Sequence, residues 1–362
     1  MVQNINAGRV LLKGIILFLV VEFVFLSLHP YPGLLNVYAP LQIKRTRFPT
    51  STHAPEDAAL DVGSLDAMFA SHIVSQPKAN NEFRVLLLGD SATWGFLLKP
   101  EQTLSGRLNA LGLACGNKQI QVYNLSYPRS SATKDLMILD KAMNYQPDLI
   151  IWPVTLYTLM PKTRVDHWLI AQNPEEFYSL DARFHFLPRN FPPESLSDRV
   201  LGPQRTLFRV MRYQLYSLVN LATGTDQIQT TYDNVPTDLP GDLKFEGMNP
   251  PTVTPQQISI DQVRDFYLLA KNVPVILVNE PILITKGAPN SDIRYNYYYP
   301  RWVYDQYRQI LGTAAAQNGW NYLDLWDRFS SDYYTNTPLH LNPEGERQLA
   351  GMLAPTIQKA CP

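Results

Sequence analysis

Charged residues are scarce in this chain. Asp, Glu, Lys and Arg make up 17% of its 362 residues while hydrophobic residues reach 45%, against a usual charged share of about 25%, so a disordered polyelectrolyte is excluded. A long basic run is also missing, and 31 Lys and Arg against 32 Asp and Glu leave a net charge of -1; nucleic acid is not an expected partner. There are only two cysteines, Cys115 and Cys361, with no CxxC and no HExxH, so neither a metal nor a cofactor is expected. The two cysteines leave open one disulfide or two buried thiols. Internal repeats and low-complexity tracts do not occur. Proline, by contrast, is abundant at 29 residues, about 8% against a usual share of about 5%, and tyrosine numbers 20, a composition suited to long loops of fixed shape with stacking surfaces.

One hydrophobic run is long. Val10 to Leu28 reads VLLKGIILFLVVEFVFLSL, about 28 Å as a helix, close to one hydrocarbon thickness. No small-residue cleavage site follows it, so an uncleaved anchor is expected in preference to a signal peptide. Arg9 and Lys13 precede or open the run, and the next positive charges are Lys44, Arg45 and Arg47; the N-terminus is then cytoplasmic and the rest of the chain extracytoplasmic. Glu22 near mid-segment would be protonated or paired with a partner helix, since a charge there costs about 2.5–3.5 kcal/mol.

At roughly 100–200 residues per domain the length allows one large domain or two with accessories. Residues 1–9 read as a cytoplasmic N-terminus and 10–28 as the anchor. Prolines recur through 29–80, a tether within which Leu60–Ile73 is one amphipathic helix. Beyond it, short apolar runs alternate with helical patterns, the signature of a parallel sheet with crossover helices. Strands are expected at Phe83–Leu88, Ile120–Asn124, Leu149–Val154, Val273–Val278 and Asn321–Leu325. Helices are expected at Thr103–Leu111, Thr133–Asn144, Asp261–Lys271, Arg301–Asn318 and Pro343–Gln358. The fold class is α/β with three layers over 81–362, and the proline-rich stretch at about 157–259 is too long for one crossover and reads as an inserted cap.

Ligands of an open parallel sheet bind beyond the carboxyl ends of its strands. The first strand runs into Gly89-Asp90-Ser91, which exposes Ser91 on a tight turn beside backbone N–H groups able to hold an oxyanion. Of six histidines, His340 stands just before a helix whose start is fixed by Asn342 and Pro343, and a serine needs such a base. His167 and His185 fall in the cap, where packing or surface roles are expected. At the same sheet edge, Asn279 and Glu280 end the fourth strand, with Glu280 near the pocket or structural. The loop from Arg294 to Trp302, with Tyr295 and Tyr297, is either a sugar-stacking loop or packing beneath the cap.

The serine turn and the final histidine loop together resemble the SGNH (GDSL) hydrolase family over roughly Glu82–Pro362. The resemblance implies a flavodoxin-like sheet, nucleophile Ser91, base His340, and hydrolysis or transfer of acyl groups, often acetyl on carbohydrate. The oxyanion donors would be the backbone N–H groups of Ser91 and Ser126, Ser126 standing where the family has glycine. The family's side-chain oxyanion donor, an Asn, has no counterpart, with Thr155 in its region. The acid three residues before the histidine is replaced by Thr337, leaving Asn336, Asp332 and Glu280 as candidate orienters. Asp90, Asn124, Thr155, Asn279, Tyr295 and Tyr297 are candidates for substrate contact. The departures resemble the membrane-anchored branch that works beside a membrane acyltransferase on cell-surface polysaccharide. That implies a serine O-acyl esterase or acyltransferase acting on a cell-surface or exported polysaccharide; the alternative is a catalytically impaired module that binds glycan or scaffolds an export complex.

Overall fold

The computed structural model describes residues 7–28, 45–49, 63–187, 215, 218, 219, 222, 235 and 238–361; much of the expected cap lies outside them. Six strands form one sheet in the order β2-β3-β1-β4-β5-β6. These are β1 Glu82–Leu87, β2 Ala114–Cys115, β3 Lys118–Asn124, β4 Leu149–Val154, β5 Val275–Asn279 and β6 Asn321–Asp324. All pairings are parallel except β2 with β3. Without β2, the five parallel strands follow the flavodoxin-like order 2-1-3-4-5, whose switch point lies beside the first strand.

The five expected strands are all present. β5 starts two residues late because Pro274 has no N–H to give to the ladder, although its carbonyl still accepts from Ile150 at 2.9 Å. β2 has only two residues, too few to carry a periodic signal. Alternation along the strands sends Leu86, Leu88, Ile150, Trp152 and Leu277 into one core and Val85, Leu87, Ile151, Ile276 and Val278 into the other, as the pleat requires. Helices cover both faces, which makes the three layers.

Near the chain start, α1 spans Ala7–Leu28 and α2 Leu65–Ser71, the latter within the expected Leu60–Ile73. The short α3 (Ser91–Trp94) follows β1, and α4 is Leu104–Ala110. α5 (Ala132–Ala142) precedes β4. In the described part of the cap are α6 (Trp168–Gln172) and α7 (Pro174–Phe184). α8 (Ile260–Ala270), α9 (Arg301–Asn318) and α10 (Pro343–Lys359) complete the domain. Leu104 and Leu108 of α4 with Leu349, Leu353 and Ile357 of α10 fill one core, and Leu136, Val263, Phe266 and Tyr304 of α5, α8 and α9 help fill the other. Trp152 stacks on Phe266 with ring centroids 3.7 Å apart. Cys115 and Cys361 form a disulfide, the first of the two readings.

Part of the expected tether belongs to the globule. Phe48, Leu65, Met68 and Phe69 are fully buried. The Arg47 guanidinium lies 4.1 Å over the Trp94 ring and donates to the carbonyls of Gly95 (2.9 Å) and Leu98 (3.1 Å), while Trp94 Nε1 donates to Phe48 O at 3.0 Å. Residues 45–49 therefore brace the turn that carries Ser91.

The apolar side chains from Val10 to Val24 that are described in α1 are all exposed. The side chains of Glu22 and residues 25–28 lie outside the described set. Among the described residues no helix is long and apolar enough to cross a membrane.

Candidate active site

The chain leaves β1 through Gly89, whose φ of +145° suits glycine and whose added Cβ would stand 2.5 Å from Thr93 Oγ1. Asp90 caps α3, its Oδ1 accepting from Ala92 N at 2.9 Å, and its Oδ2 accepts from Ser130 Oγ at 2.5 Å. Ser91 is thereby fixed as the first residue of α3, half-buried. Among the described residues its N–H has no acceptor, so it is free to hold developing negative charge.

His340 comes from the loop between β6 and α10. Asn342 caps that helix through Glu344 N (3.1 Å) and Gly345 N (2.9 Å), and Pro343 occupies its first position. His340 Nε2 lies 2.9 Å from Ser91 Oγ, and His340 Nδ1 lies 2.9 Å from Asn336 Oδ1. With Asn336 Oδ1 accepting from Nδ1–H, Nε2 is left to accept the serine proton, the geometry that nucleophile activation needs. Thr335 Oγ1 lies 3.3 Å from Asn336 Oδ1 and 3.2 Å from His340 O. Thr337 Oγ1, three residues before the histidine, accepts from the backbone N–H of His340 at 3.1 Å. The Phe96 ring packs 5.1 Å from the imidazole. Burial pushes the His340 pKa down to about 4, with Asp90 acting in the opposite direction.

The other expected residues are placed differently. Of the three orienters, only Asn336 reaches His340; Asp332 is exposed and its carbonyl accepts from Asn342 Nδ2. The backbone N–H of Ser126 already donates to Asn124 Oδ1 at 3.1 Å, while Asn124 Nδ2 holds Thr93 O at 3.0 Å. Thr155 Oγ1 is fully buried, 2.9 Å from the Tyr299 hydroxyl. Asn279 is also buried, bonded to Asp324, Tyr304 and Tyr307. Tyr295 is buried and donates to Asp305, while Arg294 is tied to backbone carbonyls including those of Tyr297 and Tyr298. Asp90, Asn124, Thr155, Asn279 and Tyr295 are thus committed to protein partners, a correction to the expectation that they face substrate. Tyr297 alone of those six is not buried among packed groups.

Behind the pair lies a cavity of ≈ 20 Å³ bordered by Ala92, Thr93, Glu280, Leu339, Leu341 and Glu346, large enough for about one water. Glu280 Oε1 and Glu346 Oε2 have no partner among the described residues. Burial raises both carboxyls well above the usual range; Asp90, Glu346 and Asp135 add to the rise at Glu280, and Arg107 opposes it at Glu346. Glu280 is buried, and among the described residues no hydrogen bond joins it to His340. Another depression, of ≈ 1070 Å³, lies between the cap and α8 and α9 and includes neither Ser91 nor His340.

Residues that sequence reading missed here are Ser130, Phe96 and Lys134. The Lys134 side chain is fully buried under the serine turn. Its position in the first turn of α5, amid Ala132, Leu136 and Met137, marks it only as a charge on a core-facing stripe.

No protein-family model matches the sequence and no curated protein matches it. Among solved structures, the chain is similar to a carbohydrate acetylesterase family member from Sinorhizobium meliloti, with 13% identity, 77% of this chain and 98% of that chain covered, and a TM-score of 0.36. It is similar to the aryl esterase of M. smegmatis at 13% identity, covering 76% and 99% of the two chains, with a TM-score of 0.34. For a lipase/acylhydrolase from Enterococcus faecalis the identity is 11%, the coverage 76% and 95%, and the TM-score 0.36.

Two predictions follow from the site's charges. With His340 as the base proposed below, active only when neutral, the acid limb of kcat/KM should fall near pH 4. Asn336→Asp, which puts a carboxylate on Nδ1–H, should move that limb up by about 1–3 units, read from ester turnover between pH 3 and 8; an unmoved limb would mean that residue 336 does not face the imidazole. Glu280 and Glu346, raised in the folded state, contribute stability that is complete below the unfolded carboxyl pKa and is lost as pH rises. Glu280→Gln and Glu346→Gln should therefore gain stability over wild type between pH 5 and 8, by up to about 1.4 kcal/mol per pH unit for each group. Urea unfolding measures this, and a constant difference across that range would contradict it.

Proposed function

We propose that the chain is a serine O-acyl esterase or acyltransferase acting on a cell-surface or exported polysaccharide. The observation that carries the reaction class is the line Ser91 Oγ, His340 Nε2, His340 Nδ1, Asn336 Oδ1, with 2.9 Å at each hydrogen bond. Ser91 Oγ attacks the acyl carbonyl carbon as His340 Nε2 takes its proton, and the Ser91 N–H faces the oxyanion. The tetrahedral intermediate collapses, the C–O bond to the leaving sugar breaks, and His340 returns the proton to that oxygen. Water or a second sugar hydroxyl then attacks the acyl-serine by the same route in reverse. The polysaccharide substrate comes from the family resemblance together with the half-exposed Tyr297 and Tyr298.

A second reading, a binding or scaffolding module with impaired chemistry, is favoured by one observation. Ser126 N–H and Thr155 Oγ1 are both occupied by protein groups, which leaves the oxyanion one clear donor, and losing a donor costs about 100 to 1,000-fold in turnover. p-Nitrophenyl acetate turnover and fluorophosphonate labelling of the full chain in detergent separate the two. The enzyme reading expects both to disappear in Ser91→Ala and in His340→Ala; labelling of Ser91→Ala at the wild-type rate would refute it.

The reading also places α1 in a membrane with the N-terminus cytoplasmic and the α/β domain extracytoplasmic. Supporting it are the exposed apolar side chains described along α1 between Val10 and Val24 and the Cys115–Cys361 disulfide, a bond of oxidising compartments. Alkaline carbonate extraction of membranes from expressing cells should leave the full chain in the pellet; release to the supernatant would overturn the anchor.

A further inference from the structure

A fully buried lysine needs a reason, because desolvating its charge is expensive unless well-placed partners replace water. Lys134 Nζ donates to Gly89 O at 2.6 Å and to Tyr127 O at 2.7 Å. Asp135 Oδ1 stands 2.9 Å away without hydrogen-bond geometry, so that contact is one of charge, and Asp135 Oδ2 accepts from Trp152 Nε1 at 2.9 Å. The two carbonyls lie at critical points of the backbone. Gly89 O ends the turn just before Asp90-Ser91, and Tyr127 O follows Ser126. Gly89 O also accepts from Tyr127 N at 3.1 Å, so the ammonium and these two residues form a closed knot.

The loop beyond Ser126 is pinned at further points. His167 Nε2 meets Pro128 O at 3.1 Å while His167 Nδ1 accepts from Leu169 N, which makes Nε2 the donor. Ser131 Oγ donates to Thr163 O at 2.7 Å. Those contacts hold the loop to the cap; Ser130 Oγ ties its far end to Asp90, and the Lys134 contacts and the Tyr127 N–H tie its start to the serine turn through Gly89. A role limited to satisfying Tyr127 O would need one neutral donor. A cation shared between two loops fixes their separation, and misplacement of reacting groups by about 1 Å can cost on the order of 100-fold in rate.

We propose that Lys134 is a positioning residue of the serine centre, its ammonium holding the Gly89 and Tyr127 carbonyls on one charge and so setting Ser91 against the loop that carries Ser126. This rests on Ser91 being the nucleophile, as proposed above.

The test compares two full-chain variants in detergent. Asp135→Asn keeps the ammonium on both carbonyls and should leave kcat within about threefold of wild type. Lys134→Met/Asp135→Asn removes the clamp without leaving a lone buried carboxylate, and should lower kcat about 30–100-fold with KM nearly unchanged, measured below its melting temperature and per folded molecule. Hydrogen exchange gives a second readout: the Tyr127 amide should exchange at least tenfold faster in the double variant and at the wild-type rate in Asp135→Asn. If the double variant does not fold, Lys134→Gln, with an amide donor for one carbonyl only, is read by the same two measures. A folded clamp-free variant with wild-type kcat and wild-type exchange at Tyr127 overturns the proposal. If wild-type turnover survives Ser91→Ala, the esterase reading fails instead, and the exchange rates alone decide the clamp.

Discussion

The contact between Ser91 and His340 joins residues 249 positions apart, and everything else in the domain has to be right for it to form. The serine rides on the end of β1 at the centre of the sheet. The histidine arrives only after the chain has passed through β4, β5 and β6, on the loop that leads into α10. Parallel strands make this possible, because each one delivers its carboxyl end to the same edge, and the Asn342-Pro343 helix start stops the last loop at the correct height. Removing any one crossover would place the base elsewhere.

The orienting group at this centre is neutral. An amide oxygen on Nδ1–H selects the productive tautomer as a carboxylate would, yet it adds little to the stability of the imidazolium that forms when the serine loses its proton. The surroundings push in the same direction: burial holds the imidazole neutral, and the buried acids Glu280 and Glu346 face a small cavity instead of the ring. On the proposed reading, the centre keeps its base unprotonated over a wide pH range, at the expense of support for the charged intermediate.

Much of this was legible in the sequence, and the limits have physical causes. β4 and α9 match their expected bounds because a buried strand with turn signals on both sides and an 18-residue amphipathic helix each carry a full period of evidence. Ser91 and His340 stood out because a glycine turn after an apolar run and an Asn-Pro helix start are local signals. The choice among Asn336, Asp332 and Glu280 depended on the path of one loop, which spacing does not encode. Lys134 was invisible for a different reason: its partners are backbone carbonyls, which every residue has. Docking of residues 45–49 escaped notice because Pro49 and the two arginines read as linker, whereas Arg47 and Phe48 are held by carbonyls and aromatic faces farther along the chain.

That docking limits reach. Among the described residues Leu28 ends α1 and Arg45 follows, bridged to His72, and the 16 residues between them cannot span more than about 60 Å. With α1 in a bilayer, as proposed, the serine works on a short leash whose outer end is built into the catalytic turn itself through Arg47. On the proposed function, its radius of action would be a shell beside the membrane, and the acyl groups within range would be those on chains emerging from that surface or lying against it.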